Sequence, residues 1–274
     1  MINEYIEVLK RRCLKVLHYL KYGSFDRTGC KIEDISCLFD VSSNVAKRWF
    51  SNRCMAGRIH EEHVIRLFAK HIIGKKCFAD VGACLGYYSI IAASKVDQVF
   101  AFELDDNNVT EIENNMKINQ YSNITAVHKG VPNLQGEVSY HTNRKKPVYQ
   151  VLDDNNKNIT NIKTAKTISL DQYFKELGFY PDIIKIDVEG YECKVIDGAS
   201  EILKSKPVLF LEVHPEKVKL FGGKIEDIMW KIFSEGYSLY EIDRSHKSKK
   251  TIIPPSQNYN FVGNPMLLAL PISG

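Results

Sequence analysis

Short apolar segments of β type alternate with amphipathic helical segments from about residue 76 to the end of the sequence. This alternation predicts an α/β fold, a doubly wound and mostly parallel sheet of seven strands with helices on both faces. Such sheets bind ligands at the carboxyl ends of their strands, so functional residues are expected just after each strand. The predicted strands are 76–80, 98–103, 124–129, 182–187, 207–213, 238–242 and the last within 260–271, and the predicted helices are 87–95, 106–119, 170–178, 190–204 and 224–235.

The first quarter of the chain differs in charge from the rest. Residues 1–76 contain 15 Lys and Arg against 8 Asp and Glu, a net charge of +7, whereas the whole chain of 274 residues has a net charge of +4. A basic segment joined to a mildly acidic one indicates two functions. We therefore predict a small all-α domain over residues 1–73 and the α/β domain over residues 74–274.

A polar, turn-rich segment over residues 130–166 interrupts the alternation. Its alternating pieces EVSYH and PVYQV predict a small β-hairpin. Loops of this length beside a ligand-binding edge are either substrate lids or surface excursions, and both interpretations remain open.

Composition and cysteine use indicate the compartment. No apolar run approaches the roughly 20 residues that cross a bilayer. The first 22 residues contain Lys10, Arg11, Arg12 and Lys15, where a signal peptide has an apolar centre. The seven cysteines are scattered and form no CxxC pair, which favours free thiols in a reducing compartment. We expect a cytoplasmic protein with no membrane partner.

A glycine turn follows the first predicted strand of the sheet, in the segment FADVGACLGYYS at residues 78–89. It lacks the G-x-G-x-x-G spacing that binds a dinucleotide, and no G-K-[ST] follows for a P-loop. Asp80 would repel a pyrophosphate but attract a cation, which suits the sulfonium and ammonium of S-adenosylmethionine. Glu103, at the end of the next strand, can bind both hydroxyls of a ribose, a feature that NAD enzymes share. The alternative for both carboxylates is an ordinary loop or strand-end position.

The same segments resemble the FkbM family of S-adenosylmethionine-dependent methyltransferases. The resemblance covers about residues 75–245 and rests on DVGACLGYYS, VFAFELDDNN, TISLDQYF, DIIKIDVEGYE and PVLFLEVHP. It implies a Rossmann-like methyltransferase fold and methyl transfer to a hydroxyl oxygen. Cys84 departs from the family pattern, in which Asn is common at this place. The cofactor-binding residues that it implies are Asp80, Gly82, Gly86, Tyr88 and Ser89 for the methionine part, Glu103 for the ribose, and Gly130 and Val131 for the adenine, with Leu104 and Asp187 as further cofactor-binding residues.

Charged residues at the fourth and fifth strand ends are the catalytic candidates. Asp187 ends the segment DIIKID, and Glu212 and His214 lie two positions apart in PVLFLEVHP, so that both face one side. An alcohol acceptor must lose its proton, and His214 has the appropriate pKa for a general base, with Asp187 as base or orienting group. Lys185 either pairs with a carboxylate in the site or is covered by a helix. For His214 the plain alternative is a cap at the strand end.

A metal-assisted mechanism is a second possibility. Asp187 and Glu212 could bind a hard cation such as Mg²⁺, which would lower the pKa of the acceptor hydroxyl. Val213, rather than a third oxygen ligand, follows Glu212. The sequence therefore allows Mg²⁺ without favouring it.

The basic N-terminal segment is similar to a repressor-like helix-turn-helix over residues 31–60. IEDISCLFD has apolar residues at helical spacing, SNVAKRWF begins a second helix, and HEEHVIRLFAKHI gives a third. Asp40 stands where that motif prefers Gly. Two interpretations remain open: a nucleic-acid-binding domain, or a helical cap that shapes the acceptor pocket or forms a homodimer. In the first, the side chains facing a DNA groove would be Ser43, Asn44 and Lys47.

The sequence thus predicts an S-adenosylmethionine-dependent O-methyltransferase whose acceptor is a small molecule or a saccharide. One alternative is a nucleic-acid methyltransferase guided by the basic segment. Another is a DNA-binding regulator that senses the cofactor without catalysis.

Overall fold

The computed structural model describes residues 13, 16, 26–54, 58–142, 149–151, 161–242, 249–251 and 261–272. The strands of this part are β1 (Arg27–Ile32), β2 (Ile35–Asp40), β3 (Cys77–Val81), β4 (Gln98–Glu103), β5 (Ile124–His128), β6 (Gly136–Thr142), β7 (Tyr149–Val151), β8 (Ile162–Thr167), β9 (Ile183–Ile186), β10 (Val208–Glu212), β11 (Tyr237–Ile242), β12 (Lys249–Thr251) and β13 (Met266–Pro271). The helices from residue 26 onward are α1 (Asn44–Arg53), α2 (Glu62–His71), α3 (Tyr87–Ala93), α4 (Asp106–Asn119), α5 (Leu170–Leu177), α6 (Glu192–Asp197), α7 (Ser200–Lys204), α8 (Pro215–Leu220) and α9 (Ile225–Ser234). In the described parts of the chain, no helix has the length and apolar character needed to span a membrane.

The central sheet has the strand order β12-β11-β13-β10-β9-β3-β4-β5. The pairings that join β10, β9, β3, β4 and β5 are all parallel, and β13 runs antiparallel to both of its neighbours. Every residue of β3 and β9 is buried, as expected for central parallel strands covered on both faces. The predicted α/β fold with a mostly parallel seven-stranded sheet is confirmed, and the short β12 extends its edge.

The segment over residues 130–166 forms a second, three-stranded sheet. β6 pairs antiparallel with β7, with Tyr140 opposite Val151, so the hairpin predicted from EVSYH and PVYQV is confirmed. β8, which the sequence pattern did not indicate, pairs with the other edge of β6. A bridge between Gly130 and Thr167 joins this sheet to the end of β5. Residues 143–148 and 152–160 of the segment lie outside the described residues, and its role as a lid stays a prediction.

The predicted helix over residues 190–204 is interrupted. Helix α6 ends at Asp197 and α7 begins at Ser200. At Gly198 a Cβ atom would lie 2.7 Å from the carbonyl oxygen of Pro132, so only glycine allows the backbone to pass this close. Helix α8 is an additional element that the sequence pattern did not predict.

The N-terminal segment is not all-α, because the helix predicted over IEDISCLFD is wrong. Residues 27–40 form the antiparallel hairpin β1–β2, with Ile32 paired to Ile35 across a two-residue turn. Glu33 in that turn has φ 53°, a left-handed conformation that ends regular structure. The hairpin removes the first helix of the proposed helix-turn-helix, whereas the second and third predicted helices are present as α1 and α2.

The hairpin and both helices pack onto the sheet in one hydrophobic core. The ring of Phe68 in α2 lies 5.0 Å from that of Phe78 and 5.4 Å from that of Phe210, measured between ring centroids. The side-chain oxygen of Asn115 in α4 accepts the backbone N–H of Asp40 at 2.7 Å, which satisfies the edge of β2. The division of the chain at residues 73 and 74 stays a prediction.

Candidate active site

A pocket of about 230 Å³ lies at the carboxyl edge of the sheet, where β3 and β9 are neighbours. This is where the direction of strand order changes in the sheet, the usual place of a ligand site in doubly wound folds. The walls have two sources, the loops after the strands and the N-terminal segment. Strand ends supply Glu103, Lys185, Asp187, Glu189, Glu212 and His214, and the N-terminal segment supplies Trp49, Arg53, His60 and Glu61.

The glycine turn is held close to the end of β9. Gly82 has φ 79°, and a Cβ atom there would lie only 1.9 Å from the carbonyl oxygen of Asp187. Gly86, also at φ 79°, precedes the first residue of α3. Cys84 lies between them at φ 54°, a conformation in which Asn is enriched among residues that carry a side chain. The Asn expected here from the resemblance would suit this backbone, and the turn forms with Cys in its place.

Asp80 lies beneath the pocket rather than in its wall. It is fully buried and accepts a hydrogen bond from the Ser89 hydroxyl at 2.6 Å. Its other oxygen lies 3.6 Å from the Lys185 ammonium, which also lies 3.5 Å from Asp187. Burial lowers the pKa of Lys185, but Asp187 and Asp80 outweigh burial, and the pKa is raised. Lys185 thus stays charged and pairs with carboxylates inside the site, one of its two predicted positions.

Glu103 joins the turns that follow β3 and β4. One oxygen accepts the N–H of Cys84 at 2.8 Å, and the other accepts those of Leu104 at 2.7 Å and Asp105 at 2.8 Å. The carboxyl is buried, and burial raises its pKa to about 8 against the effect of these hydrogen bonds. Glu103 lines the pocket at the predicted place, while its ribose contact stays a prediction.

Several predicted cofactor residues do not line this pocket. Gly86 and Ser89 lie behind the turn, where Ile112 and Asp80 contact them. Leu104, Gly130 and Val131 belong to the junction with the three-stranded sheet, where a Cβ at Gly130 would lie 3.1 Å from Leu104. The cofactor contacts of all five residues stay predictions.

His214 is oriented by a carboxylate that the sequence did not single out. Glu192 is fully buried, and its Oε1 lies 2.7 Å from Nδ1 of His214. The same oxygen accepts the N–H of Gly190 at 3.0 Å. On the other side of the ring, Nε2 lies 3.4 Å from Glu189 and 3.9 Å from Asp187. With a proton on Nδ1 shared with Glu192, a neutral ring presents Nε2 as the acceptor.

The carboxylates around His214 set its charge. Burial lowers the pKa of the ring, whereas the hydrogen bond to Glu192 and the charges of Glu192, Asp187 and Glu189 raise it. The raising effects are stronger, so the pKa of His214 lies above its ordinary value of 6.5. The ring is therefore a stronger proton acceptor than an ordinary imidazole.

The group with metal-ligand geometry differs from the predicted pair. Among the described residues, Asp187, Glu189 and His214 offer ligand atoms within 4.8 Å of one another, and Glu212 does not belong to this group. The charge of Glu212 instead acts on Lys185 and Tyr88. Strand β10 ends at Glu212, and His214 is the N-cap of α8. Both residues line the pocket, as predicted for neighbours on one side.

The N-terminal wall is built from residues on α1 and before α2. The Tyr88 hydroxyl donates to Glu61 at 2.8 Å, and the Tyr87 hydroxyl donates to the carbonyl of His60 at 3.2 Å. Burial lowers the pKa of His60 to about 4, so this ring is neutral. The interpretation of the segment as a cap that shapes the pocket agrees with these contacts.

One of the three predicted DNA-reading residues has a structural role in its helix. Ser43 caps α1, since its side chain accepts the N–H of Ala46 at 3.0 Å. The hairpin over residues 27–40 contradicts a helix-turn-helix at this place, whereas nucleic-acid binding itself stays a prediction.

A domain comparison decides the family. The profile described as "Methyltransferase FkbM domain" matches residues 80–239, more than half of the chain. The chain belongs to the FkbM methyltransferase family. A curated relative, the hexuronic acid methyltransferase AglP of Haloferax volcanii, is 27% identical over 202 residues, which cover 72% of this chain and 78% of the relative.

Two solved structures are similar to this FkbM-family chain. The methyltransferase FkbM from Methylobacillus flagellatus KT is 17% identical over 71% of this chain, with a TM-score of 0.46. The present chain covers 43% of that longer one. The M. jannaschii protein TYW2, in complex with AdoMet, is 15% identical over 90% of this chain and 87% of its own, with a TM-score of 0.41.

The pocket of this FkbM-family methyltransferase unites the four predicted catalytic residues. Lys185, Asp187, Glu212 and His214 all line it. The residues that sequence reasoning missed come from outside the strand-end pattern: the four N-terminal residues, the buried Glu192, and Asn264 before β13, which also lines the pocket. Glu192 and His214 are in contact although they lie 22 positions apart in the chain, so no local sequence pattern indicates their pairing.

Proposed function

We propose that this FkbM-family methyltransferase transfers a methyl group from S-adenosylmethionine to a hydroxyl oxygen of a carbohydrate-type acceptor. The observation that carries the proposal is the His214 ring, held by Glu192 and turned with Nε2 toward Asp187 and Glu189 at the edge of the pocket. The hexuronic acid named for the curated relative supports a sugar as the acceptor. A cytoplasmic location, inferred from the scattered cysteines, belongs to the same proposal.

The carboxylates of the pocket fit the positive charges of the proposed cofactor. The carboxylates of Glu61, Asp187 and Glu212 face a small pocket that is closed by the glycine turn, and this arrangement suits a cation. Gly82, Tyr88 and Asp187 would hold the methionine part, and Glu103 the ribose. S-adenosylmethionine supplies an electrophilic methyl group when it is bound there.

The chain's own residues then have distinct tasks. His214 accepts the proton of the acceptor hydroxyl at Nε2, and Glu192 holds the ring in the required tautomer. Asp187 lies between Lys185 and His214 and holds the acceptor or orients its proton. Positioning the acceptor in this way can supply roughly 7–11 kcal/mol of the barrier reduction.

The proposal does not require a metal ion. The ammonium of Lys217 contacts Glu189, and that of Lys185 lies near Asp187, so both carboxylates of the candidate group already face cations. A hard cation such as Mg²⁺ also prefers oxygen ligands to the imidazole of His214. Turnover is therefore expected to persist in excess EDTA.

Calorimetric titration with S-adenosylhomocysteine, beside NAD, tests the cofactor. We expect micromolar binding of S-adenosylhomocysteine and no binding of NAD; the reverse would show that the glycine turn has been misread. Turnover is then measured with neutral and acidic glycosides, and the products are examined by NMR. A new methyl ether confirms O-methylation of a hydroxyl, and a methyl ester or an N-methyl product contradicts it.

A further inference from the structure

Arg53 places a guanidinium on the N-terminal wall of the pocket. Its Cζ atom lies 4.6 Å from the ring centroid of Trp49, and its Nη1 donates to the Trp49 carbonyl at 3.3 Å. Stacking on the indole and the hydrogen bond together fix the orientation of the planar group. A guanidinium has five N–H donors, so the bond to Trp49 leaves donors for a ligand.

The charges around the pocket make Arg53 distinct. Lys185 is held between Asp80 and Asp187, and His214 lies against Glu192. In the ranges of the chain that the structure describes, no carboxylate lies within ion-pair distance of Arg53. A cation of this kind, stacked on an aromatic ring in a pocket, is suited to bidentate recognition of a carboxylate.

Arg53 and the catalytic residues belong to the same pocket. His60, whose ring centroid lies 5.0 Å from that of Trp49, is near enough to both Arg53 and Asp187 for their charges to act on it. The strand-end wall contains the carboxylates Asp187, Glu189 and Glu212 and would repel an anion. On the N-terminal wall the carboxylate of Glu61 accepts a hydrogen bond from the Tyr88 hydroxyl, so an anionic group of the acceptor is accommodated best at Arg53.

We propose that Arg53 binds a carboxylate of the acceptor, so that the substrate is an acidic sugar whose hydroxyl is presented to His214. This inference rests on the proposed function. Trp49 is the positioning residue that holds the guanidinium flat.

Binding to the complete chain, saturated with S-adenosylhomocysteine, tests this inference. The probes are methyl glucuronide and methyl glucoside, which differ in the carboxylate and are titrated by calorimetry. We expect the glucuronide to bind at least about 10-fold more tightly than the glucoside, as for hydrogen bonds to a charged group. Arg53→Gln should remove this preference and leave the affinity for S-adenosylhomocysteine unchanged. Arg53→Lys, which keeps the charge without the planar fork, should lose most of it.

Arg48→Gln is the matched control. Arg48 lies on the same helix as Arg53 and its side chain is exposed, and the substitution removes the same charge. It should leave both sugar affinities unchanged. Equal binding of the two sugars to the wild type, or an unchanged preference in a folded Arg53→Gln or Arg53→Lys variant, overturns the inference. So does a loss of S-adenosylhomocysteine binding in these variants, which would assign Arg53 to the carboxylate of the cofactor. Wild-type binding of S-adenosylhomocysteine separates all these outcomes from a failure of the proposed function.

Discussion

Glu192 shows how one buried side chain can set the chemistry of another. It is fully buried at the start of α6. Removing a carboxylate from water is costly unless hydrogen bonds or an opposite charge offset the lost hydration. The imidazole of His214 and the N–H of Gly190 supply that compensation at one oxygen. The macrodipole alone can favour a carboxylate at the start of a helix, so the position of Glu192 in the helix does not reveal this role. Its pairing with His214 depends on the loop geometry after β9 and β10, which no local spacing encodes.

Glu192→Gln should therefore change the pH dependence of catalysis. The carboxylate raises the pKa of His214, so its neutral isostere lowers that pKa. Since the general base acts in its neutral form, activity falls as pH decreases through this pKa, and the acid limb of kcat/KM should move to lower pH. The alkaline plateau should fall by less than the roughly 10²–10⁴-fold expected for loss of the base. The pH profile of kcat/KM measures both effects.

Glu216→Gln is the control for this measurement. Its carboxylate is 87% exposed and pairs with Lys219 on α8, outside the site. The profile of this variant should match that of the wild type. An acid limb that stays in place in Glu192→Gln, or moves to higher pH, would contradict the role of His214 as the base.

At the scale of elements, Gly82 of the glycine turn is required for two separate reasons. Gly82 has a left-handed φ, and its missing Cβ makes room for the carbonyl of Asp187. Gly178, the C-cap of α5, has a similar φ of 81° but nothing within 4 Å of its Cβ position. The two positions thus separate backbone strain from close approach.

Alanine substitutions at these two glycines should differ in a predictable way. Gly178→Ala should lower the free energy of unfolding by about 1–2 kcal/mol, the penalty of a left-handed conformation. Gly82→Ala combines this strain with a backbone clash and should lower the free energy of unfolding by more than about 3 kcal/mol. Binding of S-adenosylhomocysteine should weaken only in Gly82→Ala. Urea unfolding and calorimetry provide the two measurements, and equal losses would show that the turn relaxes away from Asp187.

The sequence predicted the elements of the sheet well and the hairpin β1–β2 poorly. Buried strands such as β9 are short apolar runs bounded by polar residues, and their predicted bounds agree with the observed ones within one or two positions. In ISCLFD, the spacing of Ile35, Leu38 and Phe39 fits a helix, but the buried residues are Ile35, Cys37 and Phe39, which alternate as in a strand. The ambiguity is resolved by tertiary contacts, because Asn119 in α4 bonds both the N–H and the C=O of Leu38.

At the scale of the molecule, the core joins the N-terminal segment to the sheet. Phe68 is fully buried, and its ring also lies 5.1 Å from that of Tyr88, which lines the pocket. The four N-terminal residues of the pocket are therefore positioned by the same packing that covers one face of the sheet. Sequence reasoning assigned residues 1–73 to a separate domain because charge and composition change there, but neither property reports packing.

We expect the N-terminal segment and the sheet to unfold together. The chain has two tryptophans, Trp49 in the N-terminal wall and Trp230 in α9, so Trp230→Phe and Trp49→Phe leave one fluorescent reporter in each part. Both reporters should show the same midpoint in urea, coincident with circular dichroism. Phe68→Ala should lower stability by about 3–5 kcal/mol and move both midpoints equally. Leu134→Ala, at a side chain 71% exposed, should change stability by less than about 0.5 kcal/mol. A Trp49 transition at lower urea than that of Trp230 would instead show that the N-terminal segment is an independent domain, and that the pocket can open without loss of the sheet.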